Sequence, residues 1–346
     1  MARPLATPLL VVFTTLALAA WQAADPVVQR AVDHAKAHPT GDAAATFAQA
    51  DYTGDLRNLP IGVFDSGVGG LTVLEALKTY DATDNATGKP GADGVPDFRD
   101  ERFVYFGDQA NMPYGNYPSS RKTDFLRELV LKDAAFLLGR RWREDAATAP
   151  RMDKPPVKAI VIACNTATAY GLDDIRAAAK AWGVPVVTVG VVEAGARGLA
   201  ETRGDRTGSV AVFATKATCA SGAYPKAIAK IVPQAPIVHQ QGGATLAAAI
   251  EGDPSVKESV QSVIDKEVKS LLNERLRGPA GPPIDAVVLG CTHYPLVQAE
   301  ILATLERYRT FQSADGSRPF QSLVVAKPLC VDPARFSTQG GSPRCS

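Results

Sequence analysis

From Ile61 onward, short runs of β-branched and aromatic residues alternate with stretches of helical periodicity. IGVF is followed by LTVLEALKTY, and RFVYFG by a long helical stretch around FLRELVLKDAAFLLGRRW. VKAIVIA is followed by TATAYGLDDIRAAAKAW, and VPVVTVG by a second series running from SVAVF to DAVVLG. Short apolar runs separated by helices predict buried parallel strands with helices on both faces, an α/β fold. Ahead of this series, PVVQRAVDHAKAH predicts one more helix in an extension over residues 25–59. Three stretches interrupt the pattern: DATDNATGKPGADGVPDFRD, EDAATAPRMDKPP and RGPAGPPID. Rich in Gly, Pro and Asp, they predict surface loops. The first lacks the residue order of a calcium loop, so no metal is expected there.

One similarity within the chain changes the picture. VKAIVIACNTATAYGL and IDAVVLGCTHYPLVQ share an apolar strand, then a Cys followed by Thr or Asn-Thr and a new helix. Two such units predict pseudo-equivalent, doubly wound domains facing one another across a cleft. Ligands of open parallel sheets bind beyond the carboxyl ends of the strands, where Cys164 and Cys291 both fall. A helix start after each Cys favours anions, so each thiol pKa is expected to fall from its usual ~8.5.

The balance of charge excludes some partners. The 346 residues carry 37 basic and 36 acidic side chains, a net charge of +1, so no nucleic-acid footprint is present and a small molecule is the expected partner. At the N-terminus, Arg3 precedes an apolar run from Leu9 to Ala20 with small residues at Ala17 and Ala19. That is the layout of a secretory signal peptide over residues 1–24, too short to span a membrane, and it places the mature protein in the periplasm or outside the cell. Five cysteines are an odd number, so at least one thiol stays free. In an oxidising compartment Cys330 and Cys345 could close a loop of about 16 residues worth roughly 3 kcal/mol.

Several chemistries could use a thiol pair. Zinc needs ligands at chelating spacing, which the chain lacks. A cysteine protease leaves the second Cys without a role, and a redox pair normally occupies one C-x-x-C turn. Two thiols from opposite halves fit a two-base proton transfer, in which one takes a proton from carbon and the other delivers one to the opposite face. Asp65 and Ser66 end the first strand and suit a substrate ammonium. The turn in YFGDQANMPYG offers amides to a carboxylate, and Thr215 and Thr218 in FATKATCASGAY offer hydroxyls. Cys219 is expected to be structural. The glycines of VFDSGVGGLTVLEAL miss the dinucleotide pattern, because Thr72 stands where the third Gly is required.

In order, DSGVGGLTVL, GD-x-A-x-x-PYG, ACNTATA, ATxATxxSGAY and LGCTHYPL resemble the cofactor-independent glutamate racemases of the aspartate/glutamate racemase superfamily, over roughly residues 60–334. The resemblance implies interconversion of L- and D-glutamate without cofactor or metal, with a homodimer as one expected form. It implies Cys164 and Cys291 as the two bases, Asp65 assisting Cys164 and His293 assisting Cys291. Glu251, in LAAAIEGD, stands where the family has an acidic support for the histidine. Ser66, Asn165, Thr166 and Thr292 are expected to hold the α-amino and α-carboxylate groups, and Pro113, Tyr114 and Gly115 with Thr218 the distal carboxylate. The family normally supplies D-glutamate for cell-wall peptidoglycan inside the cell, so an exported member implies another use. An aspartate or broader-specificity racemase, and a non-catalytic amino-acid-binding protein on the same scaffold, are the alternatives. The expected domains are 60–190 with 318–334, then 191–317, followed by a tail over 335–346.

Overall fold

Strand β1 (Ile61–Asp65) is buried at every position, which is why IGVFD carries no alternation of polar and apolar residues. In the computed structural model it lies between β2 (Phe103–Gly107) and β3 (Ala159–Ile162), and β4 (Val187–Gly190) completes a sheet of order β2-β1-β3-β4. A second sheet repeats that order as β6-β5-β7-β8, from β5 (Ser209–Thr215), β6 (Val238–Gly243), β7 (Ile284–Gly290) and β8 (Phe320–Val325). Every pairing is parallel. The structure describes residues 25–277, 281–309, 311 and 318–326. The apolar leader, Cys330 and Cys345 lie outside them.

The matching strand orders make β1 the counterpart of β5 and β3 the counterpart of β7. Cys164 follows β3 and Cys291 follows β7, so the duplicated pattern in the sequence corresponds to equivalent places in two sheets. One expectation is corrected. Residues 320–325 pair with β7 and complete the second sheet, whereas the sequence pattern assigned them to the first. An apolar run declares itself a strand but does not name its neighbour, and here Phe320 buries itself in the second core, beside Ile284 and Leu305.

Helix Pro26–Ala37 of the extension starts on Asp25, whose carboxylate caps Val27, and buries Val27, Val28 and Val32 against the first domain. Arg127 joins three segments there. It makes two bonds of 2.7 and 2.8 Å to Asp174 and an ion pair with Asp25. It thus ties the extension to the helices Thr123–Leu138 and Asn165–Trp182.

Those two helices meet at Gly171. A Cβ there would stand 2.4 Å from Val130 Cγ1, so the glycine sets how closely they approach and hence where Cys164, which caps the second, is held. Gly171→Ala is expected to lower stability by about 1–2 kcal/mol despite the better helix propensity of Ala. Adding Val130→Ala relieves the clash, so urea unfolding of the double variant is expected to show less destabilisation than the sum of the singles.

Candidate active site

The carboxyl ends of the two sheets face each other, and the segments after β1, β2, β3, β6 and β7, with the end of β5, close one cavity between them. Its wall includes Ser66, Pro113, Tyr114, Gly115, Cys164, Asn165 and Thr166 from the first domain. Thr215, Ala247, Ala248, Cys291, Thr292 and His293 complete it from the second. Each catalytic or binding candidate from the sequence lies in this wall or directly behind it.

Both sulfurs are almost removed from water, the two cysteines being 6% exposed. Cys164 Sγ lies 3.7 Å from Ser66 Oγ and accepts the Ala167 amide at 3.4 Å. Cys291 Sγ lies 3.7 Å from His293 Nδ1. The expectation of depressed thiol pKa values is overturned. Burial, reinforced by the charge of Asp65, pushes the Cys164 thiol up to about 12 against the pull of the Ala167 amide and Ser66. Burial drives Cys291 up as well, only partly opposed by the His293 amide. Desolvation disfavours a thiolate by more than one helix end favours it. For Cys291 no α-helix follows at once: the chain turns through a short 3₁₀ segment, Tyr294–Val297.

Asp65 lies fully buried behind the cavity. Its Oδ2 accepts the amides of Gly67 and Gly70 at 3.1 Å, and Thr292 Oγ1 reaches its carboxylate from the other domain at 3.4 Å. Burial holds its carboxyl above the ordinary range, opposed by His293 and the loop amides. Asp65 acts on Cys164 through charge, and its bonds go to the glycine loop and Thr292.

Two of the three glycines of that loop, Gly67 and Gly69, answer the approach of the opposite domain, and Gly70 answers crowding within its own. A Cβ at Gly67 would stand 2.6 Å from Glu251 Oε1 and from Met112 Sδ. At Gly69 it would meet Thr292 Oγ1 at 2.6 Å and the His293 ring at 2.9 Å, and at Gly70 it would strike Asp65 Cβ at 2.5 Å. No side chain fits.

Glu251 stands behind His293. Its Oε1 lies 2.5 Å from His293 Nε2 and accepts the Val68 amide at 3.3 Å. With Nε2 engaged, Nδ1 is the ring nitrogen turned to Cys291. Thr218 sits one layer behind the wall, fully buried, bonded to Thr166 and Thr215 hydroxyls at 3.1 and 3.0 Å. Thr215 itself lines the cavity. Asn165 Oδ1 accepts the Tyr224 hydroxyl at 2.7 Å, which leaves its N–H donors for the cavity. The amides of Tyr114 and Gly115 have no acceptor among the described residues, whereas the Tyr114 side chain turns away to the carboxyl groups of Asp108 and Asp133.

Sequence reasoning did not place Met112, Ala247 or Ala248 in the wall. The two alanines belong to a segment with no distinctive side chain, and only the neighbouring Glu251 gave a signal. Tyr224 could have been found, since it closes the SGAY motif.

Comparison with known proteins follows the same lines. The family model for Asp/Glu/hydantoin racemases matches residues 141–312. A glutamate racemase of Limosilactobacillus fermentum is 32% identical over 246 residues, 71% of this chain and 72% of its own. One from Thermus thermophilus is 35% identical over 261 residues, 74% of this chain and 76% of its own. Among solved structures, a glutamate racemase isoform from Bacillus anthracis superposes with a TM-score of 0.52 at 26% identity, covering 78% of this chain and 77% of that one. With such identity maintained across more than two thirds of both partners, the chain belongs to the glutamate racemase family.

Proposed function

We propose that the protein interconverts L- and D-glutamate by proton transfer between Cys164, the α-carbon and Cys291. The observation that carries this reading is the pair of buried thiols on equivalent strand ends of two sheets, both in the wall of one cavity. One sulfur, as thiolate, takes the α-hydrogen, and the electron pair left on carbon takes a proton from the thiol of the other. Each turnover transfers the proton deficit from one sulfur to the other.

The thiol acting as base must first lose its own proton. On the Cys291 side His293 Nδ1, 3.7 Å away, is placed to take it, with Glu251 supporting the imidazolium that forms. On the Cys164 side the charge of Asp65 helps keep the thiol protonated. A substrate ammonium near Asp65 offsets that charge and eases the Cys164 thiolate, which forms when Cys164 gives its proton to the α-carbon and then serves as base for the opposite enantiomer. Ser66, Asn165, Thr166 and Thr292 are the groups assigned to the α-amino and α-carboxylate ends. The free amides of Tyr114 and Gly115, with Thr215 backed by Thr218, are assigned to the distal carboxylate. The apolar leader of the sequence supports export, where the enzyme meets free amino acids instead of cell-wall precursors.

In deuterated water the protein is expected to exchange the α-hydrogen of both glutamate enantiomers. Cys164→Ala and Cys291→Ala are each expected to lower racemisation by about 10²–10⁴-fold. If glutamate binds and neither enantiomer exchanges, the scaffold is a binding protein and the proposal fails; if aspartate exchanges and glutamate does not, the substrate assignment fails. Glu251→Gln is expected to weaken only the Cys291 side. The α-deuterium isotope effect on kcat/KM then rises for the enantiomer deprotonated by Cys291 and not for its mirror image, and equal effects for both sink the His293 assignment. Mass analysis of protein from its native cells tests export: an N-terminus between Ala19 and Asp25 supports it, and an intact leader on all of the protein overturns it.

A further inference from the structure

Around Tyr114 there are more acceptors than protons. Its hydroxyl oxygen lies 2.7 Å from Asp108 Oδ2 and 2.5 Å from Asp133 Oδ2. A phenol has one proton and donates along one line, so a second contact this short with an ionised carboxylate sets two lone pairs against each other. The contact becomes a hydrogen bond only if one carboxyl carries a proton and donates it to the phenol oxygen.

The surroundings decide which one. Asp108 accepts Asn111 Nδ2 at 2.8 and 2.9 Å, two bonds suited to a carboxylate. Asp133 stands on the helix Thr123–Leu138 with no exposure at all, and its Oδ1 has no hydrogen-bond partner among the described residues. The flanking turns of that helix bury Leu129, Val130, Ala134 and Leu137. An unsolvated charge there is costly, and a neutral acid is not.

We propose that Asp133 is a positioning residue of the pocket: as a neutral carboxylic acid it donates to the Tyr114 hydroxyl, which donates to Asp108, and the relay fixes the Pro113–Gly115 turn. This rests on the proposed racemase reading, because that turn presents the amides assigned to the distal carboxylate. Asp133 touches no substrate and acts through Tyr114. The groups acting on its titration agree. Burial first, then the charge of Asp108, push Asp133 up to about 7, against the pull of Lys132 on its own helix and of the Tyr114 proton in the state where Tyr114 turns it toward an ionised Asp133. Above that pH two carboxylates compete for one phenol proton, and Tyr114 is released from one of its anchors.

Wild type and Asp133→Asn are compared by infrared difference spectroscopy, glutamate kinetics and thermal unfolding between about pH 5 and about pH 8. The wild type is expected to show a protonated-carboxyl band that is missing from the Asn variant and fades as pH rises through about 7. KM for glutamate is expected to rise over the same range, with a smaller change in kcat. The Asn variant, whose amide N–H can replace the acid proton as donor, is expected to hold the low-pH KM throughout. Asp133→Leu, with no donor, is expected to show the raised KM at every pH.

The folded-state pKa lies above the unfolded one, so the stability that the proton confers is complete below about pH 4 and is lost as pH rises to about 7. The Tm of wild type relative to Asp133→Asn is therefore expected to fall across that range. Absence of the carboxyl band at low pH in folded protein, or a KM in the Asn variant that follows the wild-type pH curve, overturns the proposal. If no amino acid racemises, the proposed activity fails while the infrared and Tm readings still decide the protonation of Asp133.

Discussion

Two sulfur atoms enclosed between the ends of two sheets set the terms for everything around them. A thiol denied water keeps its proton, so position alone does not make either cysteine a base. The neighbouring groups answer that constraint differently on the two sides. Cys291 has an imidazole within reach, itself held by Glu251, and Cys164 has a hydroxyl and the field of a buried carboxylate. Two equivalent strand ends therefore bear two unequal environments.

Exclusion of water comes from polar contacts between the domains as much as from hydrocarbon. Asp65 with Thr292, the Val68 amide with Glu251, Tyr224 with Asn165, and the threonine cluster all cross the cleft. All but the Val68–Glu251 contact join a candidate substrate-binding group to the opposing domain. Alignment of the site and closure of the site are consequently the same event. The glycines at 67 and 69 make the approach sterically possible, since a side chain at either would separate the surfaces that carry Thr292, His293 and Glu251.

The sequence made the sheets legible wherever strands were buried on both faces, as IGVFD and IDAVVLG show. The polar strand VHQQGG left no such trace: it is an edge strand, partly exposed, and two glycines weaken its propensity. The repeated strand-Cys-Thr pattern correctly announced two equivalent halves. The same pattern misled on acidity, because a helix start is visible in a sequence and the loss of solvent around a sulfur is not. Tyr114 illustrates a second limit. The PYG turn could be read from the sequence, but the direction of the Tyr114 side chain follows its contacts with Asp108 and with Asp133, nineteen residues away on a helix whose pattern only signals burial. Glu251 was reachable only by resemblance, since a lone Glu beside a short helix has no signature of its own.

The membership of β8 in the second sheet has a mechanical consequence. Among the described residues each sheet is built from one unbroken stretch of chain, and the covalent path passes between them once, where β4 ends at Gly190 and the helix Val191–Arg203 begins. That helix packs against β7 and β8, and Gly190 lies so close to Thr168 that a Cβ would stand 2.4 Å from its methyl group. Among the described residues the two halves therefore share a single covalent connection. Parting them would break contacts across the cleft and leave every strand pairing intact, so opening the chamber would not require any part of either sheet to unfold.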